Sequence, residues 1–105
     1  MGLWNRLFET GVNPKIDTTG QARTYFDQAN LKLEQGDANG AIKAYQQALA
    51  LKPDAASAYF NMGNAYAELK QTDMAIDCYA CALRIKPEFA DALFAMGVEL
   101  EVKGQ

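Results

Sequence analysis

Two cysteines and no histidine set the chemical limits of this 105-residue chain. Cys78-Tyr79-Ala80-Cys81 spells CxxC, a spacing that in other settings supports thiol–disulfide exchange or metal binding. A redox pair needs a thiolate stabilised at a helix N-terminus, whereas these cysteines fall inside an apolar helical pattern. A zinc site needs four ligands, and there is neither a second cysteine pair nor a histidine to complete one. One helical turn brings the two thiols near each other, yet in a geometry that strains a disulfide. Without histidine the commonest general base and the commonest metal ligand are both missing. No cofactor and no metal is therefore expected, the chain is read as a non-enzyme, and thiol redox through Cys78 and Cys81 ranks last among the functional readings.

The elements that carry these residues follow from a repeat. Tyr25, Phe26, Asn30, Glu34, Ala41, Ile42, Tyr45, Ala48, Leu49, Lys52 and Pro53 recur 34 residues later as Tyr59, Phe60, Asn64, Glu68, Ala75, Ile76, Tyr79, Ala82, Leu83, Lys86 and Pro87. A third copy begins with Ala90, Ala92, Phe94, Met96 and Gly97, which repeat Ala56, Ala58, Phe60, Met62 and Gly63. The sequence stops at Gln105, partway through that copy. A fixed period of this length is the signature of a stacked array of supersecondary units.

Within each copy the apolar residues fall at helical spacing. Tyr59, Met62, Gly63, Tyr66 and Leu69 form one stripe, and Ala75, Ile76, Tyr79, Ala82 and Leu83 form a second. Gln35-Gly36-Asp37 and Lys70-Gln71-Thr72-Asp73 interrupt the stripes. Gly36 suits a left-handed helix end, and Asp37 or Asn39 suits the cap of the next helix. Pro53 and Pro87 end the second helices at Lys52 and Lys86, leaving Asp54 and Glu88 near the positive end of the helix that follows. Each copy is thus a helical hairpin. Small residues are expected where helices approach, with Ala29 against Ala41 and Ala48 and Gly63 against Ala75 and Ala82, while Tyr45 and Tyr79 fill the space between neighbouring hairpins.

Tyr59, Met62-Gly63, Tyr66, Ala75, Tyr79 and Pro87 follow the pattern of the tetratricopeptide repeat family, and residues 22–103 resemble that family. The first copy departs from it at Gln28 and Lys32. The resemblance implies an all-α, right-handed α-α superhelix, or solenoid, of about two and a half hairpins. Residues 22–55 are the first repeat, 56–89 the second, and 90–105 the first helix of an incomplete third. It also implies a protein-interaction scaffold whose first helices line a concave groove. The groove residues carried over in this way are Arg23, Phe26, Asn30, Leu33, Ser57, Phe60, Asn61, Asn64, Asp91 and Phe94. Asparagines can hold the main chain of an extended peptide because each has a donor and an acceptor, and the periodic phenylalanines can form apolar pockets. The alternative is that the phenylalanines pack between helices and the asparagines are solvated. One family subtype grips acidic chaperone tails with paired asparagines and cations. Asn30 and Asn64 match those asparagines, but Phe26, Asp91 and Ala95 stand where the cations belong.

Bulk properties narrow the partners. A net charge of −3 with ten scattered basic residues does not suit nucleic acid, which needs clustered lysine and arginine to release counterions. No apolar run approaches a membrane span and no secretory signal precedes the array, so a cytoplasmic location is expected. Leu3, Trp4, Leu7 and Phe8 share one helical face, which predicts that residues 1–21 comprise a short amphipathic helix of about ten residues and then the breaker-rich linker Gly11–Gly20. That helix docks on its own array, on another copy, or at a membrane surface, the last disfavoured by its single basic residue, Arg6. The helix from Ala90 carries Leu93, Phe94, Met96, Val98, Leu100 and Val102 around most of its circumference, unlike a polar solenoid cap. The natural protein is expected to continue past Gln105, or another surface covers this patch. The favoured function is a scaffold binding a peptide or protein segment. The alternative is homo-oligomerisation through the open C-terminal end or the N-terminal helix.

Overall fold

The computed structural model describes residues 14–105, with side chains described from Gly20 onward. Five helices follow one another: α1 Pro14–Glu34, α2 Ala38–Leu51, α3 Ala56–Glu68, α4 Thr72–Ile85 and α5 Ala90–Lys103. Helix α1 packs on α2 and α3 on α4, and neighbouring pairs meet through α2–α3 and α4–α5. Among the described residues there is no strand, and the architecture is an all-α helical-repeat solenoid. The amphipathic segment Leu3–Phe8 lies outside the described residues.

The expected linker differs from what forms. Pro14 to Gly20 are the opening turns of α1. A proline in the first helical position supplies the helical φ and gives up only an N–H that has no partner there, so it starts a helix as readily as it stops one. The Thr24 hydroxyl donates to the Gly20 carbonyl at 3.0 Å, spanning the former boundary.

The turns repeat with the period. Gly36 takes φ +85° at the end of α1, and the Asp37 carboxylate accepts the Gly40 N–H at 2.9 Å, capping α2. At the equivalent turn Lys70 holds φ +63° without glycine's freedom, and Gln71 makes no side-chain cap. Helices α2 and α4 end as expected, at Lys52 (φ −137°, ψ 86°) and Lys86 (φ −133°, ψ 88°). The next helices begin after Ala55 (φ −87°, ψ 92°) and Phe89 (φ −72°, ψ 91°). The two inter-hairpin connections therefore have the same backbone path.

The core is a file of alanines closed by two tyrosines. Ala29, Ala41, Ala58, Ala65, Ala75, Ala82 and Ala92 are fully buried, as are Tyr45 and Tyr79. The packing of Tyr79 departs from expectation. Tyr79 lies inside its own hairpin, its ring so close over Gly63 that a Cβ there would come within 2.7 Å of it. Gly63 thus makes room for the Tyr79 ring, because a large buried side chain needs a small neighbour.

Helix α5 docks on α4 through buried Ala92 and an ion pair from Lys103 Nζ to Asp73 at 2.8 Å. Its other side is bare: Leu93, Phe94, Val98, Leu100 and Val102 are exposed, as the sequence pattern anticipates. Gly97, the counterpart of Gly63, has nothing within 4 Å of an added Cβ.

Candidate functional site

Helices α1 and α3 bring the asparagines together. Asn30 Oδ1 accepts from the Tyr45 hydroxyl and, at 3.0 Å, from Asn61 Nδ2 of the next hairpin. One period on, Asn64 Oδ1 accepts from the Tyr79 hydroxyl at 2.6 Å. Both tyrosines hold their protons firmly. Burial pushes each phenol up to about 12, opposed at Tyr45 by the neighbouring Asn61 amide and reinforced at Tyr79 by the charge of Glu99. Each buried hydroxyl thereby fixes an asparagine carbonyl inward. Among the described residues no acceptor takes Nδ2 of Asn30 or Asn64.

The phenylalanines combine the two roles considered from the sequence. Phe26 meets Tyr45 edge-on at 5.9 Å between ring centroids, and Phe60 meets Tyr79 at 5.8 Å. Both are half-buried and belong to inter-helix packing while keeping one side accessible. Phe94 has no such partner among the described residues and is 76% exposed. Leu33 is half-buried against the core, and Asp91 is exposed on α5.

A cleft of about 540 Å³ opens where α1 meets the α2–α3 connection. It gathers Arg23, Phe26 and Ser57, three of the residues expected in a groove, and leaves Asp91 and Phe94 apart. Arg23 is exposed at the rim and pairs with Asp27 at 3.3 Å. Sequence reasoning missed the other walls, Lys52, Asp54 and Ala55. Lys52 and Pro53 were legible only as a helix stop, because the direction of the lysine side chain depends on the turn that follows.

Cys78 is not the readily ionised thiol that CxxC suggests. Cys78 is buried, and burial pushes its thiol up to about 12, with the neighbouring Cys81 and Asp77 acting in the same direction. A nucleophilic thiol needs the opposite shift. Both cysteines are free, and Cys81 Sγ lies 3.3 Å from Arg84 Nη2. Among the described residues no group of three or more potential metal ligands gathers, and no described helix is long and apolar enough to cross a membrane.

Comparison with known proteins agrees with this geometry. The pattern described as TPR repeat matches residues 29–70, and that described as tetratricopeptide repeat matches residues 56–89. No curated protein sequence matches the chain. Two crystal structures of MamA are similar, at 32% and 33% identity over 80% and 87% of this chain, each with a TM-score of 0.79. The chain spans about half the length of those structures, 49% in each case. The second TPR domain of Spaghetti (RPAP3), solved with a bound HSP90 peptide SRMEEVD, shares the fold at TM-score 0.83 and 20% identity, over 88% of this chain and 84% of that one. Two overlapping pattern matches thus fall on hairpins that repeat the same tyrosine, asparagine and alanine placements, and the chain belongs to the tetratricopeptide repeat family, a non-catalytic protein-interaction fold.

Proposed function

We propose that this chain holds an extended segment of a partner protein along the face shared by its first helices, and catalyses nothing. The observation that carries the reading is the pair of tyrosine-anchored asparagines: the Oδ1 atoms of Asn30 and Asn64 are taken by tyrosine hydroxyls, and in this reading their Nδ2 groups donate to the carbonyl oxygens of a peptide main chain. Arg23, Phe26 and Ser57 border the cleft beside them, Phe60 and Asn61 continue the row, and Asp91 and Phe94 extend it on α5. The acidic HSP90 peptide held by Spaghetti is a poor guide to the partner, since Phe26, Asp91 and Ala95 stand at the three positions where the acidic-tail subtype carries its cations. The proposed compartment is the cytoplasm, where both thiols stay reduced.

The test replaces amide donors without removing structure. Asn30→Asp and Asn64→Asp keep an oxygen for the tyrosine hydroxyls and lose the Nδ2 donors. Selected peptides from an extended-peptide array are expected to bind each variant about tenfold more weakly, the loss of one or two hydrogen bonds, with unchanged melting temperature. Equal binding by both variants would remove the groove assignment. Phe60→Ala is not a usable control, because Phe60 packs on both Tyr79 and Phe89.

Self-association is the second reading, and the exposed face of α5 favours it. Light scattering on concentrated protein is expected to give dimers that Phe94→Lys with Leu100→Lys converts to monomers. A strict monomer in the parent protein would end this reading.

A further inference from the structure

Of the cleft's lining positions that change between repeats, one exchanges a small apolar side chain for a ring. Ala55 lines the cleft, and 34 residues on the equivalent position is Phe89. The flanking backbones match closely: Ala55 and Phe89 differ by 15° in φ and 1° in ψ (−87° and 92° against −72° and 91°), and Lys52 and Lys86 by 4° and 2° (−137° and 86° against −133° and 88°). The Cα–Cβ bonds at 55 and 89 therefore leave the chain in the same direction. At the second connection the Phe89 ring fills the corresponding space, its centroid 5.1 Å from the Phe60 ring, with Lys86 Nζ 5.2 Å from its centroid. At the first connection the same two neighbours, Phe26 and Lys52, wall an open cleft.

We propose that this cleft is a receptor for an aromatic side chain of the partner, which takes the place that Phe89 occupies one repeat later. The occupant packs on the exposed side of Phe26 as Phe89 packs on Phe60, and Lys52 caps its π face as Lys86 caps that of Phe89. Alanines 22, 48, 55 and 58 supply the apolar floor, and Ser57 and Arg23 stand at the mouth, where the partner's main chain enters. Phenylalanine fits better than leucine because stacking and the cation–π contact both need a ring. Aspartate is disfavoured because the alanine floor would strip water from its carboxylate without offering a hydrogen-bond donor. This assignment rests on the peptide-binding reading and adds to it the identity of one anchoring side chain.

The experiment titrates the full chain, with assigned amide signals, against three peptides: acetyl-Gly-Ser-Gly-Phe-Gly-Ser-Gly-amide and its leucine and aspartate counterparts. The phenylalanine peptide is expected to move the signals of Arg23, Phe26, Lys52, Ala55 and Ser57, about fivefold more tightly than the leucine peptide, with no response to aspartate. Ala55→Phe should abolish the response by filling the cleft from within. Phe89→Ala should add a second responding set at Ser57, Phe60, Lys86 and Asp91. Equal responses to all three peptides, or a response that survives Ala55→Phe together with no new site in Phe89→Ala, would overturn the proposal. Failure here is separable from failure of the groove: if the side-chain amides of Asn30 and Asn64 move with every peptide while the cleft signals stay still, the peptide face stands and the aromatic receptor falls.

Discussion

Replacing Tyr79 by alanine is expected to lower the free energy of unfolding by about 3–5 kcal/mol, the usual cost of truncating a large buried aromatic. The ring is 2% exposed, lies over Gly63, contacts Phe60 and donates to Asn64, so its removal leaves both a cavity and an unpaired carbonyl. Tyr45→Ala should cost as much, because Tyr45 is fully buried and its hydroxyl reaches the oxygen that also receives Asn61 from the next hairpin. Since a domain of this size is stable by only about 5–15 kcal/mol in total, either variant should lose a large fraction of its stability. Phe94→Ala, at the periodic aromatic position of α5, should stay within about 0.5 kcal/mol of the parent because its ring is already in solvent. Urea denaturation monitored by circular dichroism decides the matter. A loss below about 1 kcal/mol in Tyr79→Ala would mean that the tyrosine is not a keystone of its hairpin.

These tyrosines mark the boundary between what the amino-acid pattern reveals and what it conceals. The hairpins, the left-handed turn at Gly36, the Asp37 cap and the helix ends at Lys52 and Lys86 were all readable, because each is a local matter of backbone preference and each recurs in register. The bare face of α5 was readable for the same reason, as an apolar pattern with no partner stripe after it. The seating of Tyr79 on Gly63 was not, since helix periodicity says which residues face inward and not which of several small neighbours receives a ring. Pro14 was read as a breaker where it begins a helix, an ambiguity inherent in proline's dual role. Arg23, Phe26 and Ser57 were named for the groove and meet at one cleft, yet the cleft itself was invisible. It arises where the copies differ, Ala55 against Phe89, and a reading built on recurrence passes over a position that fails to recur.

Alkaline pH should unfold the protein cooperatively, through protons that the native state refuses to release. Burial raises Tyr45 and Tyr79 from an ordinary value of 10.0 to about 12, and raises Cys78 from 9.0 to about 12. All three side chains are at most 5% exposed. Raised acid pKa values mean that the folded chain binds more protons than the unfolded chain between the two sets of values, so stability falls as pH rises. Their contribution is intact below about pH 9, begins to erode with Cys78, falls faster above about pH 10 with the tyrosines, and is gone by about pH 12. Each tyrosine accounts for on the order of 2–3 kcal/mol, so the group together rivals the stability of the whole domain. Far-UV circular dichroism and tyrosinate absorbance should therefore change together between about pH 10 and 12, instead of the phenols titrating on an intact helical frame. The triple variant Tyr45→Phe, Tyr79→Phe, Cys78→Ala should start less stable, having lost its hydroxyl hydrogen bonds, and yet lose far less stability across the same interval. If the parent protein keeps a constant melting temperature from neutrality through that range, these three groups are not held in their protonated state by the fold, and the inward anchoring of Asn30 and Asn64 by neutral phenols loses its physical basis.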